Sequence, residues 1–206
     1  LFVYFPTHEE LPMATVTILE NEIYYEISGE GPPLIMLHNG FYSGATWDGV
    51  RDELSRQYTV VTYDRAGYGR ATKSDFGVAD DIVEEGVAEL ALLLEHLGYD
   101  QVNLLGHCLG GAIALLYTAR NPDRVLKTIA EAVGYFGDHR SLMKADMTFV
   151  PWDTIPPELK EVLQEMHGEE YAPRFWDIIS RHDSSYIMSE QYDIRKEVKS
   201  IKTPLF

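Results

Sequence analysis

The residues best suited to chemistry stand together in the run Gly106-His107-Cys108-Leu109-Gly110-Gly111. The run follows a short apolar stretch, Val102-Asn103-Leu104-Leu105, and leads into small and apolar residues from Ala112 to Arg120. The first stretch reads as a buried strand and the second as a helix. A cysteine between them stands at a strand-to-helix corner, with its thiol clear of the sheet. Such a corner strains the backbone, and only small side chains fit two residues to either side. Gly106 and Gly110 meet that need, and Gly111 lets the helix start close to the strand. The helix N-terminus favours a thiolate and a developing oxyanion. The backbone N–H of Leu109 is placed to donate to that oxyanion. The chemistry implied is nucleophilic attack by Cys108 on a carbonyl carbon. The competing reading is a glycine-rich turn around an inert, buried cysteine.

A reactive corner needs a sheet to carry it. Thr15–Ile18 and Ile23–Ile27 read as two strands of a hairpin, and Leu34-Ile35-Met36-Leu37 as a strand buried on both faces. Thr46 is expected to cap a helix with Trp47, Val50 and Leu54 inward. Thr59–Tyr63 is the next strand. Asp80 and Asp81 open a helix whose core stripe is Val83, Val87, Leu90, Leu94 and Leu97, ending at Gly98. After the corner and its helix, Asn121-Pro122 stops the helix and Val125–Val133 forms another apolar strand. Buried strands alternating with helices predict an α/β fold, a mostly parallel sheet with helices on both faces. Chemistry then gathers at the carboxyl ends of the strands. His38-Asn39-Gly40, Asp64-Arg65, the Cys108 corner and Glu131 all fall there.

Composition narrows the partners. In 206 residues, 33 acidic against 17 basic side chains leave a formal net charge of −16. That balance argues against nucleic acid, which needs a basic footprint. No apolar run approaches a membrane span, and Leu1–Pro6 lacks the basic leader and long apolar core of a secretory signal. One cysteine forms no internal disulfide. A reducing, cytoplasmic setting is therefore expected. Oligomeric state stays open, a homo-oligomer included.

After Gly134 the strand signals thin out. Residues 136–200 hold short helical patterns, one starting at Pro156-Pro157 and another around Phe175, Trp176, Ile178 and Ile179. They are expected to form a helical cap over a core of residues 13–135, with aromatic and methionine side chains packing the cap and lining an apolar pocket. Ile201-Lys202-Thr203-Pro204-Leu205-Phe206 reads as the start of one more core strand, so a C-terminally incomplete core is expected.

These motifs together resemble the α/β-hydrolase superfamily over nearly the whole chain after Met13. His38-Asn39-Gly40 is similar to the family's H-G-x after the third strand, Asp64-Arg65-Ala66-Gly67-Tyr68-Gly69 to its D-x-R-G-x-G loop, Gly106–Gly111 to its G-H-S-x-G-G elbow, and Ile201–Pro204 to its I-x-x-P. The nearest group is the small capped esterases, lactonases and cofactor-free haloperoxidase-like proteins. The resemblance implies Cys108 as nucleophile in place of the usual serine, and the N–H groups of Leu109 and Gly40 as oxyanion hole. It also implies no metal or organic cofactor. His38 becomes a structural residue under the oxyanion loop, and Asp64 and Arg65 pin the loop after their strand. Asn39 departs from a usual glycine. Dienelactone hydrolases share a similar cysteine elbow, although the rest of the chain resembles them less.

The implied activity is hydrolysis of small carboxylic esters, thioesters or lactones through an acyl-enzyme, with a small apolar substrate. The alternative is a non-catalytic ligand-binding or sensor homologue. The catalytic histidine and main acid are expected after Phe206. Glu131 is a candidate acid, because some relatives place theirs after the corresponding strand. His139, His167 and His182 fall in the cap region, where a surface or packing role is the plain reading and a place facing the pocket is the alternative.

Overall fold

The computed structural model describes residues 13–73, 82–138, 150–185 and 192–206. Six strands form one sheet: β1 (Met13–Ile18), β2 (Asn21–Ser28), β3 (Pro33–Leu37), β4 (Thr59–Asp64), β5 (Val102–His107) and β6 (Val125–Glu131), in the order β1-β2-β4-β3-β5-β6. β1 and β2 are the antiparallel hairpin, joined through Leu19 and Glu20, both at positive φ. β4, β3, β5 and β6 run parallel, so their carboxyl ends share one rim.

The apolar run of β3 is buried on both faces. Leu34 and Met36 join Val60 and Trp47 on one side. Ile35 and Leu37 join Val61, Leu104, α2 (Ile82–Leu97) and α3 (Leu109–Arg120) on the other. This two-faced burial is why β3 reads as a continuous hydrophobic stretch without alternation. α3 is buried from Leu109 through Thr118, which accounts for its small and apolar composition. Gly86 of α2 lets the two helices approach, since a Cβ there would overlap the Ile113 side chain.

The expected helix after β3 is built differently. Ser43, not Thr46, caps a 3-10 turn over Gly44–Trp47, accepting from the Ala45 N–H at 3.4 Å. α1 (Asp48–Leu54) follows with Arg51 buried and Val50 exposed. Arg51 turns inward to pair with the Glu26 carboxylate on β2, and that ion pair takes the inner face ahead of Val50. The predicted capping residues Asp80 and Asp81 lie outside the described residues. α2 does bury Val83, Val87, Leu90 and Leu94.

Beyond β6 the chain rises into α4 (Pro157–His167) and α5 (Ala172–Ser185), then returns through α6 (Arg195–Ser200), which packs on α3. The outgoing and returning segments are stapled together. Phe136 bridges Asp193, the Gly137 N–H donates to the Tyr192 carbonyl at 2.9 Å, and the Tyr192 hydroxyl donates to the Gly134 carbonyl at 2.9 Å. Leu205 lies parallel beside Thr128, with backbone bonds of 3.0 Å from Thr128 to Pro204 and from Phe206 to Thr128. Among the described residues no helix is long and apolar enough to cross a membrane.

Candidate active site

Cys108 occupies the corner between β5 and α3 with φ 54° and ψ −114°, a conformation that an L-residue rarely adopts. Its N–H donates to the Glu131 carbonyl at 2.8 Å and its carbonyl accepts from Ala112 at 3.1 Å. The strain is thus held from β6 on one side and from the first turn of α3 on the other. The thiol is half-buried.

Two glycines make the corner possible. A Cβ on Gly106 would run into the backbone of Gly110, and one on Gly110 would meet the Leu37 carbonyl and come within 2.5 Å of the His38 carbonyl oxygen. The first turn of α3 therefore sits directly against the end of β3. That contact sets Gly110, the residue after Leu109, against the backbone of Leu37 and His38.

The His38-Asn39-Gly40 segment is held rigidly. Arg65 donates from Nη1 to the His38 carbonyl and from Nη2 to the Asn39 carbonyl, both at 2.8 Å. His38 Nδ1–H donates to the same Asn39 carbonyl at 2.8 Å, and His38 Nε2 accepts from the Arg65 N–H at 3.3 Å. A trans peptide is planar, with C=O and N–H opposed. Fixing the Asn39 carbonyl inward therefore aims the Gly40 N–H the other way. Asn39 adds a turn of its own: its Oδ1 accepts from the Phe41 and Tyr42 N–H groups at 2.8 and 2.9 Å. The asparagine that departs from the usual glycine thus acts as an internal cap for the loop.

Both nitrogens of His38 are committed, and the ring is fully buried. Burial first, and then the Arg65 guanidinium, hold its pKa well below the ordinary histidine range. It is a neutral structural residue. Asp64, also fully buried, accepts from the Gly44 N–H at 2.6 Å through Oδ1 and from the Arg70 N–H at 2.7 Å through Oδ2. Gly69, at φ 49°, leaves the space that the Asp64 carboxylate fills. Between Asp64 and Arg70 the loop after β4 is thus tied to the core through the Asp64 carboxylate.

Glu131 contributes its carbonyl to the corner, while its side chain is exposed at the end of β6. The structure therefore gathers Cys108, Leu109, Gly40 and Glu131 along one rim, with His38, Asp64 and Arg65 beneath it. His107 lies half-buried just before the corner. His139 lies outside the described residues, and His182 lies in α5 among residues whose side chains are not described.

The structure gives His167 bonds that the sequence does not foretell, and it adds Glu89. His167, at the end of α4, is 2% exposed and bonds to both loops of the site. Glu89 of α2 is buried, and its Oε2 accepts from the Ala66 N–H at 3.0 Å. It lines a small cavity with Arg65, Tyr68, Ile82 and Gly86. A signal for Glu89 was present, because it interrupts the buried stripe of Ile82, Gly86 and Leu93. His167 carried only its place in the last turn before Gly168.

Residues 32–180 match the alpha/beta hydrolase fold family, and the chain belongs to it. Among relatives, the chain is 35% identical over 103 residues to a soluble epoxide hydrolase of Corynebacterium sp. (strain C12), covering 50% of this chain and 35% of that protein. It is 31% identical over 114 residues to the pimeloyl-[acyl-carrier protein] methyl ester esterase of Aliivibrio salmonicida (strain LFI1238), covering 55% of this chain and 41% of that protein. The match to these curated relatives thus spans less than half of their own length. An alpha/beta hydrolase enzyme from a Medee basin deep-sea metagenome library superposes with a TM-score of 0.72 at 25% identity, covering 93% of this chain and 77% of that one.

Proposed function

We propose that this chain carries the nucleophile and oxyanion hole of a hydrolase of small carboxylic esters, thioesters or lactones. The Cys108 thiolate attacks the carbonyl carbon, a C–S bond forms, and the carbonyl electrons move onto oxygen. The N–H groups of Leu109 and Gly40 stabilise that oxyanion. Collapse expels the alcohol, thiol or ring oxygen, which takes up the proton lost by Cys108. Water then attacks the thioester and releases the acid. Glu131 is the candidate for the acid that orients the base. The base is assigned to neither His38 nor His167, since each has both ring nitrogens engaged. A small apolar substrate suits the aromatic cap. We place the reaction in the cytoplasm, where a lone thiol stays reduced.

The observation that supports this reading most is the contact of the first turn of α3 with the His38–Gly40 segment, next to a strained Cys108. On this reading the N–H groups of Leu109 and Gly40 serve as the two donors beside the thiol. The test is single-turnover acylation of the full chain by a short-acyl thioester, followed by mass spectrometry. Cys108 should be acylated about 10²–10³ times faster than a small free thiol of equal thiolate content, in line with the worth of oxyanion donors, and Cys108→Ala should take no label. Acylation at the free-thiol rate overturns the proposal.

A further inference from the structure

We propose that His167 is a positioning residue that ties docking of the helical cap to the shape of the oxyanion loop. The proposal rests on the reading of Gly40 as an oxyanion donor. His167 ends α4, yet its imidazole reaches across to both loops of the core. Nε2–H donates to the Phe41 carbonyl at 2.8 Å, and Nδ1 accepts from the Gly69 N–H at 3.0 Å. These two roles set one tautomer of the neutral ring. Phe175 of α5 stacks on it with centroids 3.8 Å apart, and Tyr68 meets it edge-on at 6.1 Å. One cap side chain thus joins two cap helices, the loop after β3 and the loop after β4.

The consequence lies in which peptide His167 holds. The Asn39–Gly40 peptide is fixed from below by Arg65 and His38. The Phe41–Tyr42 peptide is fixed at its N–H by Asn39 Oδ1 and at its C=O by His167 Nε2. Between those two anchored planes lies Gly40, whose backbone is the freest in the loop. Removing the second anchor leaves Phe41 and Tyr42 held through Asn39 Oδ1 alone, so the loop beyond Gly40 loosens and that load passes through Asn39 to the peptide that carries the Gly40 N–H. The oxyanion hole is therefore complete only while the cap sits on the core. The neighbouring Asp64 loop carries Lys73, whose ammonium donates to the Gly69 carbonyl. Burial, helped by Lys73 and opposed by the Phe41 bond, disfavours charging His167, so the latch works through hydrogen bonds of a neutral ring.

Two conservative variants separate this role from packing. His167→Gln can place a donor near the Nε2 position and keep the Phe41 bond. His167→Asn can place an acceptor near the Nδ1 position and keep only the Gly69 bond. Both should lower the melting temperature by similar amounts. His167→Asn should slow acylation of Cys108 about tenfold, the worth of one misdirected hydrogen bond, with apparent affinity for the thioester unchanged. His167→Gln should stay within about twofold of wild type. Amide hydrogen exchange over residues 40–42 should accelerate in His167→Asn and not in His167→Gln. Equal acylation rates in the two variants, or equal protection of residues 40–42, overturn the proposal. The exchange readout needs no turnover. If the wild-type protein itself acylates no faster than a free thiol, the hydrolase reading falls while the exchange comparison still tests the latch.

Discussion

The ends of β3 and β4 and the ends of β5 and β6 share one rim but are built from opposite materials. At the first pair, His38, Asn39, Asp64 and Arg65 are all buried, with exposures of 5% or less. Each is tied to backbone by bonds already named. At the second pair, Cys108 is half-buried and Glu131 exposed. Polar groups that fix geometry are turned inward, where losing a partner is costly. The side chains at the second pair, which the proposed function uses, are left within reach of solvent. The contact of Gly110 with Leu37 and His38 is the seam between these two halves.

The seam is the most damaging place to intervene. Gly110→Ala puts a methyl group into two backbone carbonyls, which cannot swing aside as a flexible side chain could. α3 must then move off β3, at a cost of about 3 kcal/mol or more. Urea denaturation should show this as a lowered midpoint. A loss under 1 kcal/mol would mean that the two halves are not in rigid contact.

Next comes a paired test of the halves themselves. Asp64→Asn leaves one oxygen where two serve the Gly44 and Arg70 N–H groups, and turns an amide NH₂ toward one of those donors. The expected loss is about 2–3 kcal/mol, because a buried charge-assisted site becomes partly unpaired. Glu131→Gln, on the exposed side, should change stability by no more than about 0.5 kcal/mol. Similar losses in the two variants would erase the contrast between the two ends of the rim.

How far this division was legible depends on the range of each interaction. The parallel sheet, the corner at Cys108 and the glycines around it rest on local patterns, namely apolar runs, turn residues and helix stops. The matching motifs placed the His38–Gly40 segment and the Asp64 loop in the same way. His167 was read only as a cap-region histidine. Its partner Phe41 lies 126 residues away, and no periodicity reports such a bond. The helix after β3 differs on its inner face because a buried ion pair between Arg51 and Glu26 outweighs the apolar face that Val50 suggests. Asn39 looked like a departure from pattern. Its purpose emerged only when its side chain was seen holding the Phe41 and Tyr42 amides.

Glu89 is the loose end on the well-tied side, and it gives the finest test. Its Oε2 accepts from Ala66, but its buried Oε1 has no hydrogen-bond partner among the described residues. Burial pushes its pKa up to about 7, against the opposing pull of the Ala66 bond and Arg65. The folded carboxyl therefore holds its proton where the unfolded one, with an ordinary value near 4.5, has lost it. Stability from this group is fully present below pH 4.5 and is lost as pH rises through 7. Glu89→Gln removes the titration while its amide oxygen can still accept from Ala66. The gap between variant and wild type should move in the variant's favour by about 3 kcal/mol from pH 4.5 to pH 8, while the new amide NH₂ in the cavity shifts it equally at every pH. Thermal unfolding of both proteins across that range measures the gap. A gap that stays constant with pH would mean that Glu89 is ionised in the fold and paired after all, and that this end of the rim has no loose group.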